Sequence, residues 1–101
     1  MLQEQKGGYC MLNVHFSKKE LEQLERSSYY VEQGKDIITI RNIQGVSVGE
    51  IVYIKDSNIN ILMCKTQYYF CRSIDGIHEF LGYVYVNIRT TEGGCGQIRL
   101  Q

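Results

Sequence analysis

From Ile37 to Leu100 the chain repeats one pattern, in which short runs rich in Ile, Val and Tyr are separated by brief clusters of Gly, Asn, Asp or Ser. Most of these gaps are too short for the crossover connections of about a dozen residues that parallel strands need, so antiparallel pairing should dominate. The pattern predicts strands near 29–31, 37–41, 46–54, 59–64, 68–72, 83–89 and 97–100. Gly49, inside the third of these, predicts a bulge or bend. An earlier run over 9–16 sets Cys10, Leu12, Val14 and Phe16 against Tyr9, Met11, Asn13 and His15, which makes about eight strands.

Two segments break the two-residue period. Ser17-Lys18-Lys19-Glu20 has the form of a capping box, with Phe16 and Leu21 at the positions of a hydrophobic staple, and predicts a helix over about 17–27. Ile74, Ile77, His78 and Leu81 fall at i, i+3, i+4 and i+7 after a plausible N-cap, Ser73, and before Gly82, which suits a helix C-terminus. That spacing predicts a second short helix over 74–81. The expected fold is therefore β-rich α+β, with about eight mostly antiparallel strands in packed sheets and two short helices. Residues 1–8 read as a flexible tail and 9–101 as a single globular domain.

Composition narrows the function classes. The chain has 101 residues with 11 basic and 11 acidic side chains, so its formal net charge is zero. A neutral domain has no global attraction for nucleic acid or anionic membranes, and any nucleic-acid contact must come from a local patch. Eight Tyr, three Phe and no Trp favour half-exposed strands and interfaces, because Tyr buries a ring while its hydroxyl stays wet. No CxxC, signal-peptide pattern or membrane-length apolar run occurs, which predicts a cytoplasmic protein with free thiols and no membrane partner.

Several side-chain sets carry residue types that a site could use. Cys64, Cys71 and His78 are spaced by seven, but no fourth ligand has fitting spacing, and core cysteines account for the pattern better than a metal does. No local signature orients His15 or His78 as a base beside a cysteine, so the expectation is a non-enzyme without cofactor or metal. Gly93-Gly94-Cys95-Gly96 precedes a short strand instead of a helix, which makes it a turn and not a phosphate cradle. Tyr68, Tyr69, Tyr83 and Tyr85 suit cross-strand packing better than base stacking.

The stretches VSVGEIVYIKDSN, INILMCKTQYYFCRSIDGIHEFL and YVYVNIRT, taken in order, resemble a LytTR-type DNA-binding domain over residues of about 36–100. Ile51-Val52-Tyr53-Ile54-Lys55 fits the strand entering that family's "I-x-Y-I-E" element. Ser73, Ile74, Ile77 and Leu81 fit its "S-L-x-x-L-x-x-x-L" helix. Tyr83 to Thr90 fits the strand running into its Arg-Ser-like element. The family's usual Val-Asn after that element is replaced by Glu92-Gly93, and members usually continue through a further hairpin.

The resemblance implies a small sequence-specific DNA-binding protein acting in transcription regulation, with double-stranded DNA as partner. It implies contacts from Lys55, Asn58, Asn60, Arg72, Asn87, Arg89 and Thr90, whose types suit base edges and phosphates. Charge neutrality and abundant Tyr motivate an alternative. The chain is then a non-enzymatic protein-interaction module, either a homodimer or an antagonist from a phage or mobile element. Its partner would pair with the C-terminal edge strand near 97–100.

Overall fold

A computed structural model describes residues 14–54, 56–65 and 67–100 of the chain. The expected tail over 1–8, most of the strand expected over 9–16 and the candidate contact Lys55 lie outside the described residues. Val14 to Phe16, the described end of that run, is not in a strand.

The described residues form one helix and one seven-stranded sheet. Helix α1 spans Lys18–Arg26. The strands are β1 (Tyr30–Gln33), β2 (Ile37–Arg41), β3 (Ser47–Ile54), β4 (Ile59–Cys64), β5 (Gln67–Phe80), β6 (Tyr83–Thr90) and β7 (Cys95–Arg99). They pair in chain order, every pair antiparallel, as the short connections require. The β-rich α+β class read from the sequence is thus the class of the fold, realised as one sheet instead of several packed together.

Local chemistry fixes the start of α1. The Ser17 Oγ accepts from the Glu20 amide at 3.2 Å, and Glu20 Oε1 accepts from the Ser17 amide at 2.8 Å, which completes the capping box. Leu24 is fully buried, and Leu21 packs beside the core. The helix rests against β1 and β5 and covers the inner face of the sheet.

That inner face supplies the core. Ile38 and Ile40 of β2, Ile51 of β3, Leu62 of β4, Cys71 of β5, Val86 and Ile88 of β6 and Ile98 of β7 are all essentially inaccessible. The sheet curls around them. Leu100, just past β7, reaches back to β3, where its Cδ2 would lie 3.4 Å from a Cβ on Gly49. The Cys64 thiol on β4 donates to the Arg99 carbonyl at 3.4 Å. The curl lets a single sheet with one helix enclose a core that was expected to need packed sheets.

The second expected helix is absent: residues 74–80 continue strand β5, which runs for 14 residues. Two irregularities in the β5–β6 register explain the misleading spacing. The register shifts between Cys71 and Ser73 and again between Ile74 and Gly76, so Arg72 and Asp75 are extra residues. Each inserted residue stretches the inward period from two to three. Cys71, Ile74 and Ile77 therefore all face the core at intervals of three, which imitates a helical stripe. Gly82 keeps the positive φ that a helix terminus would have used, at 82°, but with Leu81 at 52° it forms the two-residue hairpin link between β5 and β6.

Candidate interaction face

The described candidate contacts do not converge. Asn60 is 4% exposed and sits on the inner face, opposite Tyr53 and Cys71, with no hydrogen-bond partner for its Oδ1 among the described residues. It is turned into the protein, away from any DNA partner. Asn58 is exposed in the β3–β4 turn at φ 53°, and its Oδ1 accepts from the Tyr53 hydroxyl at 2.8 Å. Thr90 builds the β6–β7 hairpin: its amide donates to the Gly94 carbonyl at 2.9 Å, and its Oγ1 accepts from the Gly94 amide at 3.0 Å. The Gly93–Gly96 stretch is a turn leading into a strand.

Arg72, Asn87 and Arg89 do lie towards one side, on the outward face of β5 and β6. Arg89 pairs with Asp75 at 3.4 Å and donates to the Gly93 carbonyl at 3.3 Å. The Asn87 Nδ2 is 2.7 Å from His78 Nδ1. His78 stacks on Tyr85 with centroids 4.9 Å apart and planes 6° from parallel, and the Arg99 guanidinium lies 4.2 Å over Tyr83. This part of the face is a polar and aromatic network whose groups mostly satisfy each other.

Cys64, Cys71 and His78 do not form a site. Both cysteines are buried on the inner face, whereas His78 is exposed on the outer one. Among the described residues no group of three His, Cys, Asp or Glu side chains is placed to hold a metal. Burial pushes the Cys71 thiol up to about 11, against a smaller lowering by hydrogen bonding with the Ser73 backbone. Burial also raises Cys64, opposed by the charges of Lys65 and Arg99, and raises the Tyr29 hydroxyl. Cysteines held as thiols in this way are poor nucleophiles. Among the described residues, no helix is long and apolar enough to cross a membrane.

The rest of the outward face, over β2–β5, is different. The strand registers place Ile37 opposite Val52, Val52 opposite Ile61, and Ile61 opposite Phe70, giving an unbroken apolar row across four strands. Ile54 and Ile59 pair on one side of the row, Met63 and Tyr68 on the other. Ile37 is 40% exposed, Ile54 37%, Phe70 45% and Tyr68 61%, and nothing among the described residues covers them. Tyr68 and Phe70 brace one another edge to face, with centroids 5.8 Å apart.

Nothing in the sequence reading marked these side chains as a surface. A signal was present in β4. INILMC is apolar at all three outward positions and at two of its inward ones, which is the composition of a strand covered on both sides. Among the described residues, α1 lies on one side and nothing covers the other.

No family model, no curated protein and no solved structure matches the chain.

Proposed function

We propose that the chain is a non-enzymatic protein-interaction module that docks through the outward face of β2–β5. The observation that carries this reading is the row Ile37–Val52–Ile61–Phe70, with its apolar flanks left open to solvent. A contiguous apolar field on a sheet face marks a contact surface, because leaving it wet forfeits about 25 cal/mol for each Å² that a partner could cover. The occupant is a protein surface: eight apolar side chains offer nothing to a phosphate backbone, and the zero net charge adds no long-range pull towards one. Site-specific photo-crosslinking in the source cells tests the reading. A photoreactive residue at Phe70 is expected to give discrete protein adducts, and one at Gln97, on the polar part of the same face, none. Equal labelling from both positions, or none from either, counts against it.

A second reading keeps the LytTR-like role in DNA binding. Arg72, Asn87 and Arg89 share the outward face of β5–β6, and their chemistry suits guanine, adenine and phosphate. It has less support. Arg89 is already paired with Asp75, and the helix that the resemblance implied over 74–81 is strand. Duplex binding that falls steeply with salt and is weakened by Arg89→Ala supports this second reading. A flat low-salt titration against a randomised duplex pool removes it.

A further inference from the structure

Resting on the protein-interaction reading, we infer that the occupant of the β2–β5 face is a second copy of this chain, held by a two-fold axis through Ile61. The argument is charge placement. An acid and a base, Glu50 and Arg72, stand on opposite margins of the apolar field, with Lys65 beside Glu50 and Glu92 beside Phe70. Glu50 stands on β3 level with Met63, and Arg72 on β5 stands one position beyond the Asn60–Cys71 pair, level with Ile59. Ile61 lies midway between Ile59 and Met63 on β4, the strand between β3 and β5. Glu50 and Arg72 are therefore at opposite ends of a diagonal whose midpoint is Ile61.

A face with opposite charges so placed is complementary to itself. A two-fold axis in the interface plane, through Ile61 and perpendicular to that diagonal, sets each Glu50 against the partner copy's Arg72 and brings the two Ile61 side chains together. With strands about 4.8 Å apart and a rise of about 3.4 Å per residue, the same operation crosses the strands of the two sheets at roughly 70°, close to the orthogonal class of sheet packing. Arg72 is exposed and makes no ion pair among the described residues, and Glu50 accepts only a long 3.5 Å contact from Ser47 Oγ.

Area sets the strength. Four strands by three outward positions give a footprint of roughly 400 Å² per copy before side-chain relief and the rim are counted. Doubled, this is roughly 800 Å², below the about 1,200 Å² that stable specific interfaces bury in total. The dimer is thus reversible and dependent on concentration. The β7 edge is the weaker alternative, since its Arg99 carbonyl is engaged by Cys64 and both Ile98 and Leu100 are buried.

Sedimentation of the purified chain over a wide concentration range tests the inference with a charge-swap set. The wild type is expected to pass from monomer to dimer. Glu50→Arg and Arg72→Glu each set like charges together twice and are expected to weaken dimerisation by about tenfold or more. An equimolar mixture of the two variants restores both pairs and is expected to return to within about threefold of the wild type. Circular dichroism of each variant checks that it is folded. A wild type that stays monomeric at every concentration, or a mixture that fails to recover, overturns the second-copy inference. Neither result bears on adducts with a different protein from position 70, so the two readings fail separately.

Discussion

The ring of Tyr69 on β5 lies over Gly96 on β7, so close that a Cβ on Gly96 would stand 2.9 Å from both Cδ1 and Cε1 of that ring. It would also stand 3.2 Å from Ile88 Cδ1 on the intervening strand. Gly96→Ala is therefore expected to destabilise the fold by about 1–3 kcal/mol through overpacking. In a Tyr69→Ala background the same substitution meets no ring, only Ile88 Cδ1 at 3.2 Å, and is expected to cost clearly less. Urea unfolding of the four proteins in this cycle measures the coupling.

Leu81 holds φ at 52° in the β5–β6 link and is 80% exposed, so its side chain gains little from packing while its backbone is strained. Asn tolerates this conformation, and Asn-Gly is the preferred pair for such a link. Leu81→Asn is expected to raise stability by about 0.5–1 kcal/mol, read as a higher urea midpoint. A lower midpoint would argue against the hairpin geometry.

Leu24 is the one fully buried residue of α1. Leu24→Ala is expected to cost about 2–5 kcal/mol. Ser17→Ala, which breaks only the capping box, is expected to cost about 1 kcal/mol. Thermal unfolding distinguishes them, and the larger loss belongs to Leu24.

The thiol of Cys71 ionises near 9 when unfolded and at about 11 when folded. Between these values the unfolded chain has released a proton that the folded chain keeps. The contribution is whole below about pH 9 and is lost as pH rises towards 11. The raised Tyr29 hydroxyl acts in the same direction from about pH 10 upwards. Urea midpoints are expected to fall between pH 8.5 and 10.5, and Cys71→Ala is expected to flatten that slope. Exposed Cys95 is expected to react with a thiol reagent well before buried Cys64 and Cys71.

Much of the fold was legible because its signals are local. The capping box at Ser17 and Glu20 specifies the start of α1 on its own, and the β-branched runs with their turns specify strands and antiparallel order. What was not legible depends on pairing. The extra residues Arg72 and Asp75 can be recognised as bulges only against β6, and without β6 the spacing of Ile74, Ile77 and Leu81 reads as a helix. The candidate face was hidden for a related reason. Periodicity shows that Ile59, Ile61 and Met63 share a side of β4, but not whether another layer covers that side. Asn60 shows the converse, since a polar side chain suited to DNA is placed on the buried side by its register with Cys71.

The outward β2–β5 face is proposed as a docking surface and not as part of the folding core. This docking role is tested most directly by the yield of protein adducts from a photoreactive residue at position 70, compared between the wild type and Ile61→Lys. Ile61 is half-buried at the centre of the face, and its replacement is expected to abolish the adducts while the chain stays folded, since the long Lys side chain can carry its charge out to solvent. Adducts that persist at the wild-type level in a folded Ile61→Lys protein, or an Ile61→Lys chain that unfolds, would contradict the account.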